Sequence, residues 1–231
     1  MTSNTLTDDE AKAKHILVMG EELGSIYDAL WQQVAWLHRK WSEYVVLFGT
    51  KESRVALLNE TAPSFGRIVQ DSLWEDVLLH VARLTDPPKS AGKANLSVQA
   101  LSPLIRHSET KAVVEARTAE ALGASEFCRD WRNRRIAHSD LLLALERGAE
   151  PLKPASRMKV ADALKALAVV LNTVSAHYYT GGTTRFDFGA EHGGAMSLLY
   201  VLDSGRHAER ARRERLKSGI YDPTEYRPRD L

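Results

Sequence analysis

Apolar residues recur at helical spacing along most of the chain. The first such stretch follows Thr7, whose hydroxyl forms the sequence signature of a capping box with Glu10 three positions later. The apolar positions that follow are three or four residues apart, as one face of a helix requires. They are Ile16, Met19, Leu23, Ile26, Leu30, Val34 and Leu37. Gly20 and Gly24 are predicted to bend or split this segment, and Gly49 to end it.

Further helices are predicted by the same spacing and by residues that start or stop helices. The helix that ends near residue 84 must stop before Pro87, because a residue that precedes proline disfavours helical backbone angles. Ser125 and Ser156 are predicted to cap the helices that follow them. The predicted helices cover about 51–59, 65–84, 109–122, 126–146, 156–178 and 192–217, with a polar loop at 89–95, an extended piece at 181–189 and an irregular tail at 221–231.

This pattern predicts an all-α fold. The chain shows no internal repeat and no strand–helix alternation of the kind that builds a parallel sheet. Residues 8–180 are predicted to form a helical bundle, and residues 181–231 a C-terminal extension with a basic helix and an irregular tail. A chain of 231 residues is long enough to bury a sizeable core without disulfides or structural metals.

Composition narrows the possible functions. The formal net charge is +1, so any nucleic-acid binding must come from a local basic patch. Cys128 is the single cysteine, which excludes an internal disulfide framework and is typical of a reducing compartment. The N-terminal residues are polar and acidic, and no run of about 18 apolar residues occurs. We therefore expect no signal peptide, no membrane span and a cytoplasmic location.

One basic cluster carries candidate chemistry. It contains Arg132, Asn133 and His138, with Arg134 and Arg135 between them. A histidine can accept or donate a proton near neutral pH, and a planar guanidinium binds phosphate through paired donors. The sequence has no glycine-rich phosphate loop, no metal-ligand spacing and no serine nucleophile elbow. No cofactor and no metal are therefore expected.

The stretch WRNRRIAHSDL at residues 131–141 resembles the signature of the HEPN superfamily (higher eukaryote and prokaryote nucleotide-binding). The spacing from Arg132 to His138, with a polar residue directly after the arginine, carries this resemblance. It is similar in particular to the branch named after abortive-infection phage-resistance proteins. The segment ARLTDP at residues 82–87, followed by Asn95 and Leu96, resembles another recurrent helix end of that branch. The resemblance covers about residues 10–180.

This resemblance implies a HEPN-like helical bundle with an extra C-terminal helix, commonly paired as a homodimer. In many members it also implies a metal-independent endoribonuclease, as the toxin or effector of a phage-defence or toxin–antitoxin module. Arg132 would then stabilise the transition state, Asn133 would position the phosphate or the histidine, and His138 would act as acid or base. RNA, a second copy of the chain and an antitoxin protein are the expected partners. The residues expected to contact RNA are Arg83, Arg134 and Arg135.

A second hypothesis belongs to a different class. A non-catalytic HEPN-like module could use the same residues to bind a nucleotide, RNA or a protein. Helix geometry leaves a further question open, because about 100° per residue places Arg132 and His138 roughly 240° apart on a regular helix. Either the helix is irregular here, or two chains supply the arginine and the histidine across a two-fold axis.

Several of these residues also have structural interpretations. Arg83 and Asp86 are three positions apart and could form an ion pair that ends a helix, with Arg83 facing a cleft as the alternative. Asp140 could pair with an arginine one turn earlier. The basic last helix is interpreted as a solvated, salt-bridged helix, or as a contact for RNA or a partner. The residues expected in the core are Trp31, Trp41, Trp74, Trp131 and Cys128.

Overall fold

Helices form nearly all of the regular structure in the computed structural model, which describes residues 6–180, 184–186 and 193–226. The α-helices are α1 (Asp8–Met19), α2 (Glu21–Phe48), α3 (Glu52–Thr61), α4 (Pro63–Leu84), α5 (Ser108–Ala124), α6 (Glu126–Trp131), α7 (Leu141–Ala144), α8 (Arg157–Tyr178) and α9 (Ala195–Lys217). An antiparallel hairpin of β1 (Lys89–Ser90) and β2 (Lys93–Ala94) lies within the segment predicted as a polar loop. The predicted all-α fold is confirmed, and the extended piece predicted at 181–189 lies mostly outside the described residues.

Local signals in the sequence set the bounds of α1 and α2. The Thr7 hydroxyl accepts the Glu10 N–H at 3.3 Å, and the Glu10 carboxylate accepts the Thr7 N–H at 2.8 Å, which confirms the capping box. Gly20 then ends α1 with a φ of +88°, a left-handed conformation that favours glycine. The predicted split therefore falls at Gly20, whereas Gly24 continues within α2.

The first compact unit consists of Met1–Ser42 and Asp71–Phe188. Its core combines the apolar faces of three long helices, and α5 packs along α8. The largest fully buried side chains include Leu30, Val34 and Leu37 of α2, Val77, Leu78 and Val81 of α4, and Leu164, Leu167 and Leu171 of α8. The sets of α2 and α8 recur every three or four residues, and Val81 lies four and three positions after Val77 and Leu78, so each set shares one helix face. Each such side chain stabilises the fold by about 1.5–3 kcal/mol through burial.

The second compact unit consists of Glu43–Gln70 and Gly189–Leu231. Within it α3 packs against α9, and the Glu43 carboxylate accepts the N–H of Ala195 at 2.6 Å at the start of α9. Arg206 forms an ion pair with Glu60. The C-terminal helix thus packs with residues from the first third of the chain. The domain boundary at residue 181 stays a prediction.

Ion pairs run along the basic helix α9. Arg212 and Arg213 both pair with Glu209, at 2.5 Å and 3.0 Å, and Lys217 pairs with Glu214 at 2.8 Å. These contacts fit the interpretation of α9 as a salt-bridged helix. Exposed pairs of this kind contribute little to stability.

Helix α8 is, in the described part of the chain, the one helix long and apolar enough to cross a bilayer by length and composition alone, with a mean hydropathy of 1.2. Core helices of globular proteins have the same properties. The apolar face of α8, which includes Val160, Leu167 and Val174, is buried inside the first compact unit. The apolar residues of α8 thus serve the core.

The core predictions for the tryptophans and the cysteine hold in part. Trp41 and Cys128 are buried, whereas Trp31, Trp74 and Trp131 are half-buried. Trp74 lies between two other indoles, with ring centroids 6.1 Å from Trp41 and 6.4 Å from Trp131. Burial raises the pKa of the Cys128 thiol to about 12, so this residue stays protonated and acts as a small apolar side chain.

Two predicted helix starts have different outcomes. The Ser156 hydroxyl accepts the Lys159 N–H at 3.2 Å and caps α8, as predicted. Ser125 precedes α6 in sequence, but its hydroxyl makes no capping hydrogen bond and is buried without a partner among the described residues. The prediction that Ser125 caps the next helix through its side chain is therefore wrong. Its backbone takes part instead, since the Ser125 carbonyl accepts the Cys128 N–H at 3.0 Å.

Candidate functional site

The candidate motif lies at a break in the helix. After α6 the backbone forms a π-helical turn over Arg132–Ile136, in which the Ala137 N–H donates to the Arg132 carbonyl at 2.8 Å. The chain then leaves the helix, and Asp140 caps the short α7 by accepting the Leu143 N–H at 3.0 Å. The continuous helix predicted over residues 126–146 is therefore wrong, and the alternative of an irregular helix is what the structure shows. π-Helical turns are rare and often occur at functional sites.

The side chain of Arg132 is held by two neighbours. Its Nη1 donates to both carboxylate oxygens of Asp86, at 2.5 Å and 2.6 Å, and its Nε donates to Asn133 Oδ1 at 2.9 Å. The side chains of Arg132 and Asp86 are 22% and 21% exposed. The Nη2 nitrogen of Arg132 has no partner among the described residues. The Arg132 guanidinium is therefore held in place, and its Nη2 nitrogen can still donate hydrogen bonds to a ligand.

Asp86 is itself positioned by a loop that follows the hairpin. The Asp86 carbonyl accepts hydrogen bonds from the Ser97 hydroxyl at 2.5 Å and from Gln99 Nε2 at 3.0 Å. Gln99 Nε2 also donates to the Thr85 carbonyl at 3.0 Å. Arg129 of α6 donates to the Thr85 hydroxyl at 3.2 Å. The bonds from Ser97 and Gln99 satisfy the Thr85 and Asp86 carbonyls, which have no partner within the helix at the end of α4. Together these bonds position the Asp86 carboxylate that pairs with Arg132.

This arrangement corrects the predicted pairing at the end of α4. Asp86 pairs with Arg132, 46 positions later in the sequence, and not with Arg83. Arg83 is exposed and lines a groove, as the alternative interpretation proposed. Arg83 has no ion-pair partner among the described residues. The prediction that an Arg83–Asp86 ion pair ends the helix is therefore wrong.

The two arginines inside the motif have different surroundings. The Arg134 guanidinium donates to the Glu150 carbonyl at 2.5 Å and lies 3.6 Å from Asp130 and 3.5 Å from Asp140. Arg134 thus ties the loop before α8 to the motif. Asp140 does pair with an arginine, but Arg134 lies six positions earlier and not one helical turn earlier as predicted. Arg135 is 57% exposed, and its guanidinium stacks on the Trp131 ring at 5.5 Å. Arg135 is consequently the more accessible cation of the two.

His138 lies in the non-helical segment between the π-helical turn and α7. Its side chain is exposed, and within the described residues it makes no hydrogen bond and no ion pair. Because His138 is outside a helix, the angle expected on a regular helix does not apply to it. The imidazole is free to meet a ligand from solvent.

Next to Asp86 lies a groove whose lining residues were mostly not singled out from the sequence. Its volume is about 690 Å³. Gln33, Trp36 and Lys40 line it from α2, and Asp76, His80 and Arg83 line it from α4, with Leu84, Asp86, Ala94, Asn95 and Leu96 completing the wall. Both helical sets have spacings of three or four residues, so each set shares one helix face. The spacing of these residues could have been read from the sequence. The sequence did not indicate that the face on α2 and the face on α4 line the same groove.

His80 is a buried histidine at the edge of this groove. It is 8% exposed, and its Nε2 has no partner among the described residues. The pKa of His80 is lowered to about 4, chiefly by burial and also by the nearby charges of Lys40 and Arg83, which Asp76 opposes. His80 is therefore neutral at physiological pH.

Replacing His80 with glutamine is expected to flatten the acid side of the pH–stability profile. The folded pKa of His80 is below the usual 6.5, so the unfolded state binds more protons and stability falls as the pH drops from 6.5 towards 4. For wild type this single group lowers the free energy of unfolding by about 1–2 kcal/mol between pH 6.5 and 5. Denaturant titrations at several pH values measure the difference. His207→Gln is the matched control, because that histidine is 72% exposed and does not line the groove.

The described residues form a helical fold with an arginine, an asparagine and a histidine close together in sequence at an irregular helix end. Residues 20–197 match the model of the HEPN_AbiU2 family, described as AbiU2, which is more than half of the chain. The protein belongs to this family, a HEPN-type domain linked to abortive infection. No curated protein and no solved structure matches the chain.

Proposed function

We propose that this protein is a metal-independent endoribonuclease of HEPN type. The observation that carries the proposal is the state of the two candidate catalytic groups. His138 is exposed and makes no hydrogen bond or ion pair within the described residues, while Arg132 is fixed by Asp86 with its Nη2 nitrogen available. An accessible imidazole and a fixed guanidinium are the groups that RNA cleavage needs when no metal takes part. Abortive infection by a family of this kind is consistent with an enzyme that acts on cellular RNA.

The RNA supplies its own nucleophile in this reaction. A ring nitrogen of His138 takes the proton of the 2′-hydroxyl, or gives a proton to the leaving 5′-oxygen. The 2′-oxygen bonds to phosphorus while the bond to the 5′-oxygen breaks, so the products are a 2′,3′-cyclic phosphate and a 5′-hydroxyl. Arg132 stabilises the negative charge that gathers on the phosphate oxygens. Asn133 keeps its amide N–H donors for a phosphate oxygen, because its Oδ1 is held by Arg132.

The active form in this proposal is a homodimer whose sites each combine Arg132 of one subunit with His138 of the other. Three positions after His138, α7 begins, and Leu141 and Leu142 of α7 and Leu145 just after it are exposed to solvent. Three exposed leucines within five positions are costly for a monomer and are typical of a surface that meets another protein. Their place beside His138 would bring two copies of the motif to one two-fold axis.

The wider role that we propose is that of a toxin or effector in a phage-defence or toxin–antitoxin module. A cognate antitoxin protein would then be a further partner. RNA would be drawn to the site by Arg135 and Arg83, which are exposed, and less by Arg134, whose donors already serve the fold. Because the whole chain has a net charge of only +1, this local patch must carry the attraction.

One observation favours a second candidate, a non-catalytic HEPN module that binds RNA, a nucleotide or a protein. The ion pair with Asp86 already engages Nη1 of Arg132. A structural ion pair at the end of α4 would look the same. In that case the exposed surface around His138 would serve only to bind.

The two candidates are separated by incubating the full-length protein with end-labelled RNA in excess chelator. The nuclease produces fragments that carry 2′,3′-cyclic phosphate and 5′-hydroxyl ends, which phosphatase and kinase treatments identify. RNA that is bound but stays intact over the same period, at several RNA sequences, supports the binding module and contradicts the nuclease.

A further inference from the structure

We propose that the groove between α2 and α4 is a subsite for one nucleotide of a single-stranded RNA, with the base stacked on Trp36 and the phosphate bound by Arg83. This inference rests on the proposed function in one respect, namely that RNA is the ligand. It adds a site outside the motif and states how RNA would be held there. Four observations support it.

Trp36 is exposed where the other tryptophans are not. Its side chain is 59% exposed, whereas Trp41 is buried and the remaining three are half-buried. An indole left in water gives up the stabilisation that its burial would provide. Leu96, also partly exposed, lines the same groove and adds an apolar surface. Exposed aromatic faces of this kind are the platforms on which single-stranded nucleic acids stack their bases.

Among the charged side chains that line the groove, one cation forms no ion pair within the described residues. Lys40 is paired with Asp76, and Asp86 is paired with Arg132. Arg83 remains exposed without an ion-pair partner among the described residues. One free guanidinium fits one phosphate, which it can bind through two parallel hydrogen bonds.

The groove also offers neutral polar groups for the edge of a base. His80 is neutral, and its Nε2 atom is buried without a partner among the described residues, so a small rotation of the ring would be needed to present it to a base. Asn95 uses its amide nitrogen to donate to the Pro87 carbonyl at 2.8 Å and to the Ser90 hydroxyl at 2.7 Å, so its Oδ1 is left to accept. A volume of about 690 Å³ lies within the range of small-ligand sites and can hold one nucleotide.

Asp86 joins this groove to the candidate catalytic site. The same carboxylate lines the groove and holds Arg132. A nucleotide bound between Trp36 and Arg83 would therefore lie next to the guanidinium that meets the scissile phosphate. The strand would be anchored one or a few nucleotides from the bond that is cut, which limits cleavage to RNA that can be splayed out as a single strand.

The test measures binding in a protein that cannot cleave. A fluorescent, unstructured RNA oligonucleotide is titrated into full-length His138→Ala protein, with and without Trp36→Ala or Trp36→Phe. We expect Trp36→Ala to weaken binding by about 5- to 100-fold, and Trp36→Phe to restore most of the affinity, because a phenyl ring still stacks. Phe65→Ala is the matched control, since Phe65 is 62% exposed and does not line the groove.

Arg83→Ala in the same His138→Ala background tests the phosphate contact. We expect the plot of log affinity against log salt concentration to become shallower, with the magnitude of its negative slope reduced by about 0.7. This is the value for one lost phosphate contact with a single strand. Arg117→Ala is the control, because Arg117 is exposed, paired with Glu120 and outside the groove.

The outcomes separate this subsite from the nuclease. Equal affinity for the parent, Trp36→Ala and Arg83→Ala overturns the subsite, whether or not the wild type cleaves RNA. Weaker binding by both variants supports the subsite, even when the wild type leaves RNA intact. A Trp36→Phe variant as weak as Trp36→Ala, with unchanged melting temperature, argues against stacking and overturns the proposed binding mode.

Discussion

Replacement of His138 with alanine is expected to reduce RNA cleavage by about 10²–10⁴-fold, the usual contribution of a general acid or base. His138 is exposed and makes no hydrogen bond or ion pair within the described residues, so its removal should leave the thermal unfolding temperature nearly unchanged. RNA affinity should also change little, because the binding charges of Arg83 and Arg135 remain. Initial cleavage rates in chelator, measured beside binding isotherms, show whether the loss is confined to the chemical step.

Alanine at an exposed histidine elsewhere is the matched control for this variant. His207 on α9 is 72% exposed, and His207→Ala should cleave RNA at the wild-type rate. A His138→Ala protein that retains the wild-type rate within a few-fold would remove His138 from the mechanism. The remaining activity would then require another acid or base.

Mixing two inactive variants tests whether the site is composite. If Arg132 and His138 come from different subunits, a mixed dimer of Arg132→Ala and His138→Ala chains contains one complete site. Random exchange of subunits should then restore about a quarter of the wild-type activity, from half of the dimers with one of two sites each. No recovery after exchange, with mixed dimers verified by differential tagging, means that one chain supplies both groups.

Replacement of Gly24 with alanine is expected to lower the free energy of unfolding by about 3 kcal/mol, near the upper end of the usual cost of overpacking. A Cβ atom at Gly24 would lie 2.6 Å from the carbonyl oxygen of His15 and 2.6 Å from Ile16 Cα. These are backbone atoms of α1, so no side-chain rotation can relieve the clash. The helix would have to move away, and the 2.9 Å contact between His15 and Asp28 would be lost with it.

The expected destabilisation by Gly24→Ala is opposite to the effect of helix propensity. A loss of stability can therefore be assigned to the clash. Alanine in a helix is favoured over glycine by about 0.5–1 kcal/mol. Gly123 of α5 has nothing within 4 Å of the position that a Cβ would take, so Gly123→Ala should stabilise the protein by roughly that amount. Chemical denaturation of both variants compares them directly. A Gly24→Ala protein as stable as wild type would contradict the close approach of α1 to α2.

The sequence identified the residues of the candidate motif but not their surroundings. Arg132, Asn133 and His138 were recognisable because their spacing lies within one short segment. The π-helical turn was not, since the apolar positions around it continue the helical pattern and only the geometric conflict between Arg132 and His138 hinted at a break. The pairing of Arg132 with Asp86 joins residues 46 positions apart, and a closer arginine, Arg83, was the better candidate by sequence alone.

By itself, the sequence determined most of the helices and their core faces, the capping box at Thr7, and a bend or split in the first helical segment near Gly20 and Gly24. These features depend on interactions within three or four residues, or on the backbone preferences of a single residue. Both can be read from short stretches of sequence. Only the tertiary structure decided which carboxylate holds Arg132, that α2 and α4 enclose a groove with Trp36 at its edge, and that Gly24 meets the backbone of α1. Such contacts depend on distances between helices, which packing sets and periodicity does not record.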